Sequence, residues 1–345
     1  MKRKRMAMIN PDIVNQWMQA YRGRNIHLGF SGGADSTALL LLLHRAATAC
    51  HLKLQAVHFD HRLRPDSTAD ATWCEQFCRK QRLPCRVVTL SVLPSPGETL
   101  EAAARRCRLA AWKQVTEPDA VIALGHHAGD RTENLLLRLC RGSNVSALTS
   151  MRTEQVIDHR TFIRPLLAYT RAEIIAFLQA AGVSDWREDA SNRDTAFQRN
   201  FFRREILPAI YRKLPAAATG LIRSLEVLEQ DADFIETAAA AILTAMDTTA
   251  GLDLKQFNRL HPALRIRILR YWMQREGDGV DFIPERHVLD RLADAVHAPA
   301  GDTVTVPCRG GRELTVHHGK ITLHRPLTPP PPPQTRSWRQ HPTRS

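Results

Sequence analysis

Four times between residues 26 and 140 a short apolar run gives way to a longer stretch with helical spacing. The runs at 26–30, 52–59, 85–90 and 120–124 have strand length, and the segments 37–47, 68–82, 98–115 and 132–140 between and after them carry apolar residues at i, i+3 and i+4. Such alternation predicts an α/β fold, a parallel doubly wound sheet with helices on both faces, and it places ligands at the carboxyl ends of the strands. Thr161-Phe162-Ile163 is expected as a last strand. The helix after it opens on a Thr170-x-x-Glu173 capping box and stops at Gly182.

The pattern divides the chain of 345 residues into five parts. Residues 1–23 form a basic N-terminal extension, 24–215 the α/β domain, 216–251 a helical linker, 252–325 a small α+β module, and 326–345 a Pro-rich tail expected as polyproline II or disordered. Apolar residues make up 43% and charged residues 24%, which excludes a disordered chain or a collagen. The longest solid apolar run, 38–43, is too short to span a bilayer, and no apolar segment follows Lys2-Arg3-Lys4-Arg5, so neither a membrane protein nor a secretory leader is expected. Seven cysteines, an odd number with no CxxC pair, fit a reducing cytoplasmic compartment. The net charge of +13 favours a polyanionic partner.

The most specific string is Phe30-Ser31-Gly32-Gly33-Ala34-Asp35-Ser36, set between the first strand and the first long helix. Two glycines allow a tight turn and a close approach of backbone to phosphate. The N–H groups that follow, with the hydroxyls of Ser31 and Ser36, suit a pyrophosphate at the positive end of a helix, and Asp35 adds a carboxylate for Mg²⁺. The spacing is not that of a Walker loop.

This string resembles the pyrophosphate-binding loop of the PP-loop ATP pyrophosphatase superfamily, and the resemblance implies that Ser31, Gly32, Gly33, Ala34, Asp35 and Ser36 bind ATP, with Asp35 the metal residue. Further strings occur in order: His58-Phe59-Asp60-His61-Arg62-Leu63-Arg64, His126-His127 with Asp130 and Glu133, Leu137-Arg138-Leu139-Cys140-Arg141-Gly142-Ser143, Arg164-Pro165-Leu166-Leu167, Glu188-Asp189-Ala190-Ser191-Asn192, and Arg199-Asn200-x-x-Arg203. Together they are similar to the tRNA(Ile)-lysidine synthetase family, densely over 24–215 and more weakly over 252–325.

The resemblance implies ligation of L-lysine to C2 of the wobble cytidine of tRNA(Ile) with a CAU anticodon, with ATP and Mg²⁺ consumed through an adenylated tRNA. It implies Asp35, Arg105, Arg108, His127 and Arg203 as catalytic residues. Asp130 and Glu133 are expected at the lysine, and Arg199, Asn200 and Arg203 at the tRNA. The residues alone leave alternatives open: each arginine also suits a solvated face, Asp130 and Glu133 also suit a helix N-terminus, and the phenylalanines of 187–204 also suit a core. Two departures from the family pattern stand out. Gly129 and Arg131 take the places of an acid and a glutamine, and Arg105-Arg106-Cys107-Arg108-Leu109 lacks a terminal tyrosine. No counterpart of the family's last C-terminal domain is expected, since the chain passes from 325 into the proline run. A PP-loop tRNA thiolase and a non-catalytic RNA-binding relative are the rival functions, and the sequence leaves the oligomeric state open, a homodimer included.

Overall fold

A computed structural model describes residues 9–62, 67–95, 98–187, 198–276, 286–299, 302–308 and 312–324. The Lys2–Arg5 cluster, the whole Glu188–Asn192 string with Arg193 and Phe197, and the proline-rich tail lie outside the described residues. The chain divides into two compact units, 1–229 and 230–345.

In the first unit the elements run α1 (Pro11–Met18), β1 (Asn25–Gly29), α2 (Ala34–Cys50), β2 (Lys53–Asp60), α3 (Ser67–Lys80), β3 (Cys85–Thr89), α4 (Leu100–Val115), β4 (Val121–Ala123), α5 (Ala128–Cys140), α6 (Val145–Leu148), β5 (Glu154–Ile157), β6 (Arg160–Ile163) and α7 (Arg171–Ala180). Then come α8 (Gln198–Phe201), a π-helical turn over Phe202–Ile206, α9 (Leu207–Lys213) and α10 (Ala217–Ala245), within which the unit boundary falls. The six strands are ordered β3-β2-β1-β4-β6-β5. All neighbours are parallel except β5, which pairs antiparallel with β6.

That edge hairpin is absent from the sequence-based expectation, and its turn shows why. Asp158 and His159 both take left-handed conformations, φ 50° and 61°, as a two-residue hairpin turn requires, without the Gly that usually signals one. The span 1–23 also holds more than a basic extension. Asn10 caps α1 by accepting from Asp12 N–H at 2.9 Å, and Val14, Met18 and Tyr21 bury themselves in the core beside α2.

The core has two faces. On one, α2 inserts Leu39, Leu40, Leu42 and Leu43 fully buried against Ile26 and Leu28 of β1, with α1, α3 and α7 around it. Each buried leucine is worth about 1.5–3 kcal/mol, which is why a helix buried on so many sides holds the middle of the layer. On the other face Trp112 of α4 packs with Val57, Ile122 and Phe162. The sheet order reverses direction between β1 and β4, so their carboxyl ends open a crevice, and the loops after them are the ones that meet there.

The second unit has a four-stranded antiparallel sheet of β7 (Leu252–Asp253), β8 (Val304–Cys308), β9 (Arg312–His317) and β10 (Lys320–His324), in the order β7-β10-β9-β8. It packs with α11 (Leu254–Arg259), α12 (Pro262–Glu276) and α13 (Arg286–Asp294) around Phe257, Trp272 and Met273. No helix among the described residues is long and apolar enough to cross a membrane.

Candidate active site

The loop 31–36 turns directly from β1 into α2. Gly32 has φ +79°, and a Cβ there would lie 3.1 Å from Cys74 Sγ and from Arg187 Cγ, so the position accepts only glycine without rearrangement. Gly33 is the N-cap of the 17-residue α2 and makes no side-chain capping bond. The first-turn N–H groups of a long helix therefore face the crevice without a capping side chain, the arrangement that suits an anion. Ser31 Oγ and Ser36 Oγ lie 3.1 Å apart, Ser36 Oγ donates to Gly33 O at 3.0 Å, and Arg187 N–H donates to Gly32 O at 2.9 Å. Trp73 and Phe77 of α3 stack at 5.0 Å beneath the loop, next to Phe30.

Asp35, the second residue of α2, pairs through Oδ2 with Arg171, while its Oδ1 is buried with no hydrogen-bond donor among the described residues. Among the described residues no cluster of three or more His, Cys, Asp or Glu is arranged to hold a metal ion alone. An orphaned carboxylate oxygen beside a phosphate cradle is the donor set of a cation that takes its remaining ligands from phosphate and water, as Mg²⁺ does.

The loop after β4 presses against this one. A Cβ on Gly125 would lie 3.0 Å from Ser36 N and 3.1 Å from Asp35 C. These are backbone atoms that cannot rotate aside, and sequence reasoning gave Gly125 no part. Gly125→Ala is expected to displace the loop, raising the KM for ATP about tenfold and lowering the melting temperature by several degrees, since overpacking costs about 1–3 kcal/mol. An unchanged KM would show that the loop has room to spare.

His127 does not reach out from this loop. It is the N-cap of α5, its Nδ1 accepting from Gly129 N–H at 2.9 Å, and Asp130 returns a bond from His127 N–H at 2.9 Å. Gly129 is what makes room, because a Cβ there would stand 2.6 Å from His127 Cε1. The family departure at 129 is thus coupled to the seat of His127. Nor does Arg131 load the site with positive charge. It is buried and donates to Glu229 of α10 at 2.6 Å.

Asp130 and Glu133, expected from sequence at the lysine, are both bridged by arginines. Arg199 donates to Asp130 Oδ1 at 2.8 Å and Glu133 Oε2 at 2.9 Å; Arg203 donates to Asp130 Oδ1 at 3.0 Å and to Glu133 Oε1 at 2.6 Å. Burial opposes ionisation of Asp130, but its neighbours His127 and Arg199, with the bond from His127 N–H, outweigh it and hold the carboxyl below its ordinary range. Burial likewise opposes the charge on Arg199 and Arg203, and the two carboxylates more than reverse it; Asp35 adds to the field at Arg203. Asn200, expected at the tRNA, is buried, while Phe201 is exposed and meets Phe202 edge-on at 5.9 Å.

A second set of arginines, Arg105, Arg108 and Arg164, lies at the same end of the sheet and makes no ion pair with a carboxylate among the described residues. Arg164 donates to His126 Nδ1 at 3.2 Å and to Arg152 O at 2.8 Å, and burial first, Arg105 second, bring its guanidinium down to about 10. Desolvation and then the neighbouring Arg105 and Arg199 lower Arg108, although its side chain still reaches solvent. Burial, followed by Arg164, Arg199 and Arg108, holds His126 well below an ordinary imidazole in spite of Asp130. A neutral His126 that accepts at Nδ1 carries its proton on Nε2. Arg105 and Arg108, expected from the resemblance as catalytic, thus lie within electrostatic reach of Arg164 and His126; Arg164 had no role of its own in the sequence reading.

Residues 6–210 match the family model of a PP-loop domain, and residues 252–325 match that of the TilS substrate binding domain. The chain is 32% identical over 320 residues to the tRNA(Ile)-lysidine synthase of Xylella fastidiosa strain Temecula1, covering 92% of this chain and 71% of that protein. It is 34% identical over 303 residues to the tRNA(Ile)-lysidine synthase of Chromobacterium violaceum, covering 87% and 68%. Among solved structures, a U34-tRNA thiolase of Methanococcus maripaludis with its [4Fe-4S] cluster superposes with a TM-score of 0.50 at 13% identity, over 64% of this chain and 79% of that one, a likeness of fold alone. With a PP-loop domain and a substrate-binding domain matched in the same order, and identity sustained along nearly the whole chain, this protein belongs to the tRNA(Ile)-lysidine synthase family.

Proposed function

We propose that the chain joins L-lysine to C2 of the wobble cytidine of a tRNA(Ile) with a CAU anticodon, in the cytoplasm, using ATP and releasing AMP and pyrophosphate. The observation that carries this is the meeting, at the carboxyl ends of the parallel strands, of a glycine-rich turn at the head of a long helix with Arg105, Arg108 and Arg164, which among the described residues make no ion pair with a carboxylate, Glu101 acting on Arg108 only through its field.

The chemistry divides between the two. The N–H groups from Gly33 onward and the Ser31 and Ser36 hydroxyls hold the pyrophosphate half of ATP. The cytidine C2 oxygen attacks the α-phosphorus, forming an O–P bond as the bond to pyrophosphate breaks. Arg105, Arg108 and Arg203 stabilise negative charge that grows on the phosphoryl oxygens, the kind of fixed electrostatic support that dominates phosphoryl transfer. Asp35 would hold Mg²⁺, which neutralises pyrophosphate charge when bound. The lysine amine then attacks C2, a C–N bond forms, the C–O bond to AMP breaks, and the amine gives up a proton. Asp130 and Glu133 offer carboxylates to the ammonium groups of lysine, which must share them with Arg199 and Arg203; His127 keeps Asp130 in place through the helix cap. Arg199 and Arg203 also hold the segment that leads Phe201 into solvent, where bases can stack.

The experiment is AMP and pyrophosphate release with each substrate omitted in turn. Release that requires tRNA, and continuous turnover that requires lysine as well, is expected. Release with tRNA alone that lysine never accelerates would favour another nucleophile, sulfur included, and binding of tRNA with no release at all would favour a non-catalytic relative.

A further inference from the structure

Helix α7 opens with a charge that its own local structure does not explain. Thr170 and Glu173 form the capping box, the Glu173 carboxylate accepting from Thr170 N–H at 2.8 Å. Arg171, the next residue, puts a guanidinium at the positive end of the helix, where a cation is disfavoured. Its partner is 136 residues away: Nη1 pairs with Asp35 Oδ2. Asp35 sits in the first turn of α2, where a carboxylate is favoured, and its two oxygens differ. Oδ2 belongs to Arg171, and Oδ1 is buried with no donor among the described residues. The Arg171 side chain is 45% exposed and that of Asp35 25%, so the pair lies at the open rim of the crevice, where it can part without disturbing the core.

We propose that Arg171 competes with the divalent cation for Asp35, so that the metal reaches this carboxylate together with its phosphates rather than alone. The inference rests on Asp35 being the metal residue. A bare cation at Oδ1 must share one carboxylate with the guanidinium on Oδ2, and the two positive charges oppose each other there. A cation already chelated by pyrophosphate also brings anionic oxygens for the N–H groups of α2 and for the guanidinium, so no charge is left opposed. Arg171 is in this sense a positioning residue that sets a threshold for the metal.

The test uses Mn²⁺ as probe on the full chain, with binding followed by electron paramagnetic resonance. Arg171→Gln is expected to bind Mn²⁺ alone about two- to fivefold more tightly, the scale of a partly exposed ion pair, and Arg171→Lys to stay near wild type. The gain should shrink when inorganic pyrophosphate is present, and Arg171→Gln should change nothing in an Asp35→Asn background. Unchanged or weaker Mn²⁺ binding in Arg171→Gln, with Asp35→Asn still weakening it, overturns the competition and leaves the metal role of Asp35 standing. An equal gain in the Asp35→Asn background puts the cation elsewhere and overturns the metal role itself.

Discussion

Asp35→Ala is expected to cut tRNA-dependent AMP formation at least a hundredfold while leaving the fold and tRNA affinity close to wild type. The two effects separate because Asp35 contributes little to packing. Its side chain is a quarter exposed, Oδ1 accepts from no donor among the described residues, and its pair with Arg171 is at the rim, where such pairs are worth at most about 1 kcal/mol. Its place at the head of the phosphate cradle is where charge develops in the transition state, and losing one such partner commonly costs about 3–4 kcal/mol of barrier. Single-turnover AMP formation beside a melting curve checks both halves. Activity within fivefold of wild type would remove Asp35 from the chemistry, and a collapse in melting temperature would make its role structural.

The second large effect is expected at Glu133. Its side chain is 3% exposed and accepts from two guanidiniums, with Arg203 approaching through both Nε and Nη2. Glu133→Gln keeps the shape and removes the charge, leaving Arg199 and Arg203 to share Asp130 alone. Removing one member of a fully buried pair costs about 3–5 kcal/mol. The arginines here are 30% and 36% exposed, so water recovers part of that and about 2–3 kcal/mol is expected, with activity lost as well. Urea unfolding of the variant measures it. A change below about 0.5 kcal/mol would mean that solvent already screens the cluster.

The parallel strands were legible in the sequence because their signal is local: apolar runs at 26–30, 52–59, 85–90 and 120–124 became β1 to β4 with ends shifted by a residue or a few. The glycine turn from β1 into α2 was legible for the same reason, its glycines and hydroxyls being consecutive. The β5 hairpin was not, because Asp158 and His159 occupy left-handed positions that composition assigns to glycine. Neither was α1, whose eight residues carry a helical stripe too short to stand out beside the basic cluster before it.

Charge pairing was the least legible part of the site. Residue types marked Asp130, Glu133, Arg199 and Arg203 as functional, but their mutual neutralisation joins positions 66 to 73 residues apart, and the Asp35–Arg171 pair spans 136. Spacing along a chain says nothing about such contacts; the sheet order decides them. The substitution at Arg131 shows the same limit. From sequence it adds a cation to the site, whereas in the fold Glu229 of α10 takes that charge away from it.

The central claim is that the loop 31–36 and the arginines around it activate a tRNA base for attack by lysine. Mass spectrometry of the nucleosides from a tRNA with a CAU anticodon, after incubation with the protein, ATP, Mg²⁺ and isotopically labelled lysine, tests it most directly. The account predicts one modified cytidine per tRNA, heavier by lysine less one water and carrying the label, and none when ATP is omitted. A cytidine that is unchanged, or that gains sulfur instead of the labelled amine when a sulfur donor is supplied, would contradict it.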